Sequence, residues 1–116
     1  MNKFPEFKEL MLQWERETGF HSSPTAWEKH PNFKLLLEFE DVIPFTCLFL
    51  KKDPHRAWSI FRAKDKHPPA LPAYYAGRVK IYQEAYIYWA INEGYLLSKY
   101  DPNKYWLEDK YGNVFL

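Results

Sequence analysis

Apolar residues surround the second half of one predicted helix, and this feature most constrains how the chain can fold. The spacing predicts a single helix over residues 74–96, with one stripe that repeats every four or three residues: Tyr75, Val79, Tyr82, Tyr86 and Trp89. Further apolar residues lie on its other faces: Ile81, Ala85, Ile87, Tyr88, Ile91 and Tyr95. Such a helix must be covered on several sides, and a short chain has few elements for this. The uncovered remainder is a candidate interface.

The composition limits the chain to one modest core with an excess of aromatic rings. A length of 116 residues supports one domain, and 47% hydrophobic with 27% charged residues is typical of soluble globular proteins. The aromatic content of 20%, with five Trp and nine Tyr, is high. Because Tyr and Trp combine an apolar ring with a polar group, they suit interfaces. Filling a small core is the alternative use of these rings.

Cysteine usage and the N-terminal sequence predict a cytoplasmic protein. Cys47 is the only cysteine, so the chain has no internal disulfide, zinc knuckle or Cys-x-x-Cys pair. The N-terminal residues lack a signal-peptide pattern, and no apolar run approaches the roughly 18 residues of a membrane span. We therefore expect no membrane association and no cofactor. Cys47 lies in an apolar segment where a thiolate is disfavoured, which predicts a structural thiol rather than a nucleophile.

The remaining pattern predicts an all-α fold, a compact bundle of about five or six short helices with the long aromatic helix last. Helix-start signals and apolar spacing place the other helices at residues 5–18, 24–29, 31–39 and 53–64. Residues 42–51 stay open between helix and strand, because Asp41 can cap a helix whereas the alternation from Ile43 to Phe49 suits a strand.

The helix over 53–64 and the C-terminal tail carry two more specific predictions. In the helix, the pattern buries Ala57, Trp58 and Phe61 and exposes His55, Arg56, Ser59 and Arg62.

The chain divides into a helical domain over residues 1–100 and an aromatic tail over 101–116, which packs on that domain or on a partner. The tail allows a small β-hairpin around residues 110–113, which is too short to be stable alone.

Positive charge is concentrated in the middle of the sequence. The net charge is +1, yet residues 42–80 hold eight basic and two acidic residues. Basic side chains interleaved with aromatic rings suit single-stranded nucleic acid, and the candidate residues for this alternative are Lys51, Lys52, Arg56, Arg62, Lys64 and Lys66. The near-neutral total charge argues against a stand-alone nucleic-acid module, because phosphate neutralisation supplies most of the affinity of such modules.

No residue pattern assigns a catalytic or metal-binding role. The histidines, His21, His30, His55 and His67, lack the i, i+3 or i+4 spacing of metal ligands and have no accompanying carboxylate cluster. His30, followed by Pro31, is expected to fix a turn through hydrogen bonds. The carboxylates of the first helix lie on its solvated face. The sequence therefore favours a non-enzymatic protein without a metal site.

Many spaced residues resemble a family of small, uncharacterised bacterial proteins. The family shares a pattern of the type F-x-x-L-x-x-x-W-x-x-x-T-x-x-S-S, then H-P and a buried I-P or L-P helix. A Trp-containing helix followed by I-T-G-x-x-P comes next, with W-x-x-W-G near the end. The residues that carry the resemblance over about 4–96 are Phe7, Leu10, Trp14, Thr18, Phe20, Ser22, Ser23, His30, Pro31, Ile43, Pro44, Leu50, Trp58, Arg62, Ala63, Pro69, Gly77, Trp89 and Gly94. Two departures occur: Lys64, Asp65 and Lys66 replace the I-T-G step, and Tyr86 and Ala90 replace the first Trp and the Gly of W-x-x-W-G. The resemblance implies a helical, cytoplasmic, bacterial protein without an established activity.

The excess of Tyr and Trp near the C-terminus predicts a protein-binding function. These side chains bury a large area with few rotatable bonds and dominate binding hot spots, and the candidate anchors are Tyr82, Tyr86, Trp89, Tyr95, Tyr105 and Trp106. The simplest partner is a second copy, which would make a homodimer. A larger bacterial effector is the other expected partner, with the chain as a toxin neutraliser, an immunity partner, or an accessory subunit in phage defence or of a CRISPR effector.

Overall fold

Six α-helices dominate the computed structural model, which describes residues 2–97 and 107–114. The helices are α1 (Phe4–Glu17), α2 (Pro24–Glu28), α3 (Pro31–Leu37), α4 (Val42–Cys47), α5 (Pro54–Ala63) and α6 (Val79–Asn92), and a 3-10 turn over Ala73–Tyr75 precedes α6. Within the described ranges no strand forms, and β-structure is limited to two isolated antiparallel bridges. The prediction of a mostly helical chain is confirmed.

Proline in the first turn marks the start of four of these helices, at Pro5, Pro24, Pro31 and Pro54. Proline fits there because its fixed φ is helical and the first turn needs no N–H donor. Two of the starts have a side-chain cap. The Asp53 carboxylate accepts from the backbone N–H of Arg56 at 3.3 Å, and His30 Nδ1 accepts from that of Asn32 at 3.1 Å. Local sequence therefore determines where α1, α2, α3 and α5 begin.

Residues 42–50 form a buried helix and turn, so the strand alternative for this segment is wrong. Helix α4 spans Val42–Cys47 and turns follow it, and every side chain from Val42 to Leu50 is buried. The helix packs against α5 and α6. Alternation of apolar and polar residues is expected in a strand that has one face exposed to solvent and the other buried. In this segment both the apolar and the intervening positions are covered by the rest of the domain.

The aromatic helix is shorter than the single helix predicted over residues 74–96. It begins at Val79, because Gly77 has a φ of +81° that interrupts any helix from Tyr75 onward. It ends at Asn92, and Gly94, with a φ of +82°, turns the chain away. The predicted stripe therefore loses Tyr75, which belongs to the 3-10 turn instead.

The core is built around the apolar face of α1, which packs against α3. The Phe7 ring is fully buried, with its centroid 5.3 Å from that of Phe39, 5.5 Å from that of Phe45 and 6.2 Å from that of Phe49. Further along the helix, the indole N–H of Trp14 donates to the backbone carbonyl of Trp27 at 2.8 Å. These contacts join α1 to the elements that follow it.

Residues 107–114 lie against the helical domain. Leu107 and Asp109 are buried, and the backbone N–H of Leu97 donates to the carbonyl of Glu108 at 2.9 Å. An antiparallel bridge pairs Glu108 with Val114 around a turn that the Asp109 carboxylate organises through bonds from two backbone N–H groups. The predicted hairpin stays a prediction, because the other tail residues lie outside the described ranges.

Candidate protein-binding surface

Helix α6 is apolar along most of its length, yet Ile87 and Ala90 are its only described residues that are buried. Three predicted anchors on this helix, Tyr82, Tyr86 and Trp89, are half-buried, and so is Tyr95 just beyond its end. The other two predicted anchors, Tyr105 and Trp106, lie outside the described residues. The helix therefore leaves much aromatic surface only partly covered.

Helix α5 holds the anchors of α6 in fixed positions. The Tyr86 ring stacks on Phe61 with centroids 5.3 Å apart and also contacts Trp58 at 5.9 Å. Trp89 meets Phe61 edge to face at 5.7 Å, and Tyr95 packs on Trp89 at 5.6 Å. We call these rings, together with Tyr82, the aromatic cluster: Trp58, Phe61, Tyr82, Tyr86, Trp89 and Tyr95. Contacts of this geometry add about 0.5–1.5 kcal/mol per pair beyond area burial.

The outer face of α6 adds an aromatic residue that the sequence-based site did not include. Tyr88 is 54% exposed and Val79 is 40% exposed, whereas the neighbouring Ile87 is fully buried. Tyr88 lies outside the spacing of the main stripe, which is why the pattern did not select it. Because Tyr88 is two residues from Tyr86, helical geometry places it on a different face from the stripe that contacts α5.

The surroundings of Tyr86 shift the pKa of its phenol. Burial raises the pKa of Tyr86 above its ordinary value, and the nearby Arg62 guanidinium partly opposes this effect. The hydroxyl, like that of an ordinary tyrosine at neutral pH, can both donate and accept a hydrogen bond.

Arg56, one of the predicted nucleic-acid contacts, is instead a buried structural residue. It is 7% exposed, its Nη1 donates to the Asp53 carboxylate at 2.8 Å and its Nη2 donates to the Thr18 hydroxyl at 2.8 Å. The guanidinium also lies 4.4 Å from the centroid of the Trp27 ring. The prediction that Arg56 is exposed is wrong, and so is the same prediction for Ser59, which is fully buried. Both face the core from α5.

The other predicted basic residues have different surroundings. Lys51 is half-buried, and Lys52 forms an ion pair with Glu15 at 2.9 Å. Lys64 Nζ donates to the backbone carbonyl of Leu37 at 3.5 Å. Arg62 and Lys66 line two adjacent hollows beside the aromatic cluster. Each of these two hollows is also lined by aromatic rings of α6, Tyr82 and Tyr86 in the first and Trp89 in the second.

The hollow that contains Arg62 is a cleft between α5, α6 and the proline-containing loop. It encloses about 250 Å³, and we call it the α5–α6 cleft; its lining residues are Trp58, Arg62, His67, Pro68, Pro69, Ala70, Leu71, Tyr82, Ala85 and Tyr86. The indole Nε1 of Trp58 is buried and has no hydrogen-bond partner among the described residues. Most buried polar groups in proteins are paired, so this donor calls for an explanation.

His30 and Cys47 have the structural roles that the sequence predicts. His30 caps α3, and its Nε2 lies 2.9 Å from the Glu17 carboxylate, which contributes to a lowered pKa of Glu17. Cys47 is fully buried.

Among the residues that the structure describes, no three His, Cys, Asp or Glu side chains are grouped as metal ligands. None of the described helices is both long and apolar enough to cross a bilayer.

We expect Cys47 to resist alkylation in the native protein. Burial, with a smaller effect of the Asp109 carboxylate, raises the pKa of the Cys47 thiol well above its ordinary value of 9.0. The unfolded chain releases this proton near that pH and the native chain does not. The thiol's contribution to stability is therefore present below pH 9.0 and is lost as the pH rises above it.

The measurement is the rate of iodoacetamide labelling at about pH 8.5, near the ordinary pKa of a thiol, followed by mass spectrometry. We expect native labelling to be at least about 1,000-fold slower than labelling in concentrated urea, because the thiol reacts only through unfolding. A native rate within about tenfold of the urea rate would show that the thiol is accessible in the folded state.

Taken together, the fold and the surface define a mostly helical domain with a half-exposed aromatic helix. No protein-family model matches the chain, and comparison with curated proteins and with solved structures gives no significant match. The resemblance to a family of small bacterial proteins therefore stays a prediction.

Proposed function

We propose that the protein is a binding module that docks another protein on the exposed aromatic surface of α6. The observation that carries this proposal is that a helix of mostly apolar residues has very few buried side chains. Its side chains are mainly aliphatic or aromatic, but Ile87 and Ala90 are its only described residues that are buried. Large contiguous apolar patches that stay exposed on a domain are typical of interaction sites.

The packing of the anchors on α5 supports their use in binding. Tyr86 and Trp89 are held by ring contacts to Phe61, so little side-chain entropy remains to be lost when a partner covers them. Their half-buried rings also leave area that a partner can cover. Pre-positioned Tyr and Trp side chains are the residues that most often dominate protein interfaces.

A second copy of the chain is the partner that we propose first. With a net charge of +1 there is little electrostatic repulsion between two copies. A two-fold dimer would use the same patch on both chains, so one aromatic surface is sufficient. The second partner that we propose is a larger bacterial effector, such as a toxin, an immunity complex or a phage-defence assembly, in which the chain would have a regulatory role. A cytoplasmic location belongs to the same proposal.

The test compares two exposed tyrosines, one on the proposed surface and one away from it. Tyr88→Glu is expected to weaken self-association on the order of tenfold or more, because a charge replaces an apolar contact on α6. Tyr74→Glu is the control, since Tyr74 is 72% exposed in the turn before α6. Sedimentation equilibrium over a range of concentrations measures association, and urea unfolding measures the stability of each variant, so that a loss of association can be separated from a loss of folding.

Trp106→Ala extends the test to the tail. It is preferable to removing residues 101–116, because truncation would also delete the buried Leu107 and Asp109. We expect Trp106→Ala to weaken association more than it lowers stability. A protein that remains monomeric at every accessible concentration, or a Tyr88→Glu variant that associates as the parent does, would contradict the homodimer.

A nucleic-acid-binding surface along residues 51–80 is the weaker candidate. Arg56 cannot reach a phosphate without leaving its buried contacts with Asp53 and Thr18, and Lys52 is already paired with Glu15. The basic residues beside the aromatic cluster, Arg62 and Lys66, are too few for the usual electrostatic footprint of such a surface. Their number suits contact with a single phosphate group.

A further inference from the structure

The loop between α5 and α6 contains a proline-rich segment over residues 66–72, with the sequence Lys-His-Pro-Pro-Ala-Leu-Pro. At its start, the backbone N–H of Lys66 donates to the carbonyl of Phe61 at 3.0 Å and closes the end of α5. At its end, the carbonyl of Pro72 accepts from the backbone N–H of Tyr75 at 3.0 Å, in the 3-10 turn. Both ends of the segment are therefore held by the domain.

The prolines favour the polyproline II conformation for this segment. Proline fixes its own φ near about −65° and directs the residue before it towards extended backbone, so only Lys66 and Ala70 are left unconstrained. Pro72 has a φ of −53° and a ψ of 147°, which are typical of polyproline II. The segment has no positive φ and lies outside the helices and turns. The sequence and the backbone therefore agree on an extended, stiff segment.

The two sides of the segment differ in exposure. A polyproline II helix has about three residues per turn, so every third residue lies on one edge. The edge of Pro68 and Leu71 is half-buried and lines the α5–α6 cleft. The edge of Lys66, Pro69 and Pro72 is exposed, although Pro69 also borders the cleft. The domain therefore holds the segment by one edge and presents another edge to solvent.

A positive charge lies at one end of the exposed edge. The Lys66 ammonium forms no hydrogen bond or ion pair with any residue that the structure describes. The neighbouring Asp65 carboxylate lies 3.3 Å from Nε2 of His67 instead. An exposed ammonium without an internal partner is available to a carboxylate of another molecule.

We infer that residues 66–72 are a ligand for a protein domain of the SH3 type, which has a groove lined by aromatic side chains. Such grooves recognise Pro-x-x-Pro in the polyproline II conformation, whose equivalent positions are about 9 Å apart. Pro69 and Pro72 fill two neighbouring pockets of the groove, and Lys66 pairs with a carboxylate beside them. Because the segment is already extended in the free protein, little backbone entropy is lost on binding.

This inference concerns a different surface and a different partner from the proposed function of α6, and it does not depend on that function. The test is isothermal titration calorimetry of the full chain with each of a panel of purified SH3 domains that bind Lys-x-x-Pro-x-x-Pro peptides. We expect saturable binding with a Kd below about 1 mM. Replacing an aromatic residue of the SH3 groove with alanine is expected to abolish binding, because the proline pockets are then incomplete.

Variants at neighbouring prolines identify the edge that binds. Pro69→Ala and Pro72→Ala are each expected to weaken binding about tenfold, because each removes a proline ring from one pocket. Pro68→Ala is the matched control, since it replaces a proline of the same segment that is half-buried. We expect it to change binding by less than about threefold. Urea unfolding of each variant separates a loss of binding from a loss of folding.

A lysine pair tests the charge. Lys66→Gln is expected to weaken binding about fivefold at low salt and less at high salt, as for an exposed ion pair. Lys64→Gln is its control, because it removes the same charge two residues earlier, outside the segment, and we expect binding to be unchanged. Equal losses in the two variants would show diffuse charge attraction and would contradict the pairing of Lys66.

Three further results would overturn the inference. The first is that none of the SH3 domains binds at about 1 mM. The second is an equal loss in Pro68→Ala and Pro69→Ala, which would make the stiffness of the loop, and not its exposed edge, the determinant. The third is weaker self-association of Pro69→Ala without binding to any SH3 domain, which would assign the segment to a contact between copies. Tyr88→Glu, which tests the α6 surface, is expected to leave SH3 binding unchanged.

Discussion

Replacing Arg56 with methionine is expected to lower the free energy of unfolding by about 3 kcal/mol, because it leaves the Asp53 carboxylate, which is only 11% exposed, without its partner. The Arg56 guanidinium lies 2.8 Å from the Asp53 carboxylate and 2.8 Å from the Thr18 hydroxyl, and it also covers the Trp27 ring. Methionine keeps much of the apolar stem but supplies no charge and no donor. Urea unfolding followed by circular dichroism at 222 nm, on the order of 2 kcal/mol per molar urea in slope, measures the loss.

Arg62→Met is the matched control, because it makes the same substitution at an exposed position of the same helix. We expect it to change the free energy of unfolding by no more than about 0.5 kcal/mol. Equal stability of the Arg56→Met variant and the parent would show that the guanidinium contributes nothing beyond the packing of its stem. The structural role that we assign to Arg56 would then be wrong.

Phe7→Ala is expected to lower the free energy of unfolding by about 3–5 kcal/mol, the range for truncating a buried aromatic residue. The Phe7 ring is fully buried and meets the rings of Phe39, Phe45 and Phe49. Its removal leaves a cavity that rigid neighbours cannot close. The same urea titration measures this change.

Phe20→Ala is the control for that substitution, since Phe20 is 98% exposed. It removes the same atoms from a side chain that has little burial to lose, so we expect a change within about 0.5 kcal/mol. A comparable loss in both variants would contradict the burial that separates the two phenylalanines.

Local signals in the sequence were sufficient to locate most helices. Proline at the first turn and the Asp53 cap determine helix starts within a few residues, and the structure follows them. The ends of α6 could not be located in the same way. The apolar pattern continues through Gly77 and Gly94, whose positive φ values depend on how the neighbouring segments pack.

The burial of Arg56 has a signal in the sequence, although charge alone suggests exposure. Ile60 lies four residues further along α5 and is fully buried, so the two residues share one face of that helix. Asp53, three residues before Arg56, offers a partner at helical spacing. The helical position together with this partner indicates a buried pair.

The arrangement around α6 depends on contacts between distant segments. The spacing within the helix identified Tyr82, Tyr86 and Trp89, but it could not show that Phe61 of α5 would cover parts of two of these rings. Nor could it place the loop of Pro68 and Pro69 beside them. Such packing depends on the path of the chain between α5 and α6, for which the sequence has no periodic signal.

The continuous series of ring contacts from Trp58 through Phe61 to Tyr95 makes the packing of α6 optically observable. Aromatic rings held in fixed, asymmetric surroundings give a near-ultraviolet dichroism signal, which is lost when packing loosens while helices persist. Near- and far-ultraviolet spectra recorded together on heating would therefore separate loss of aromatic packing, in which the rings of α6 take part, from melting of the helices.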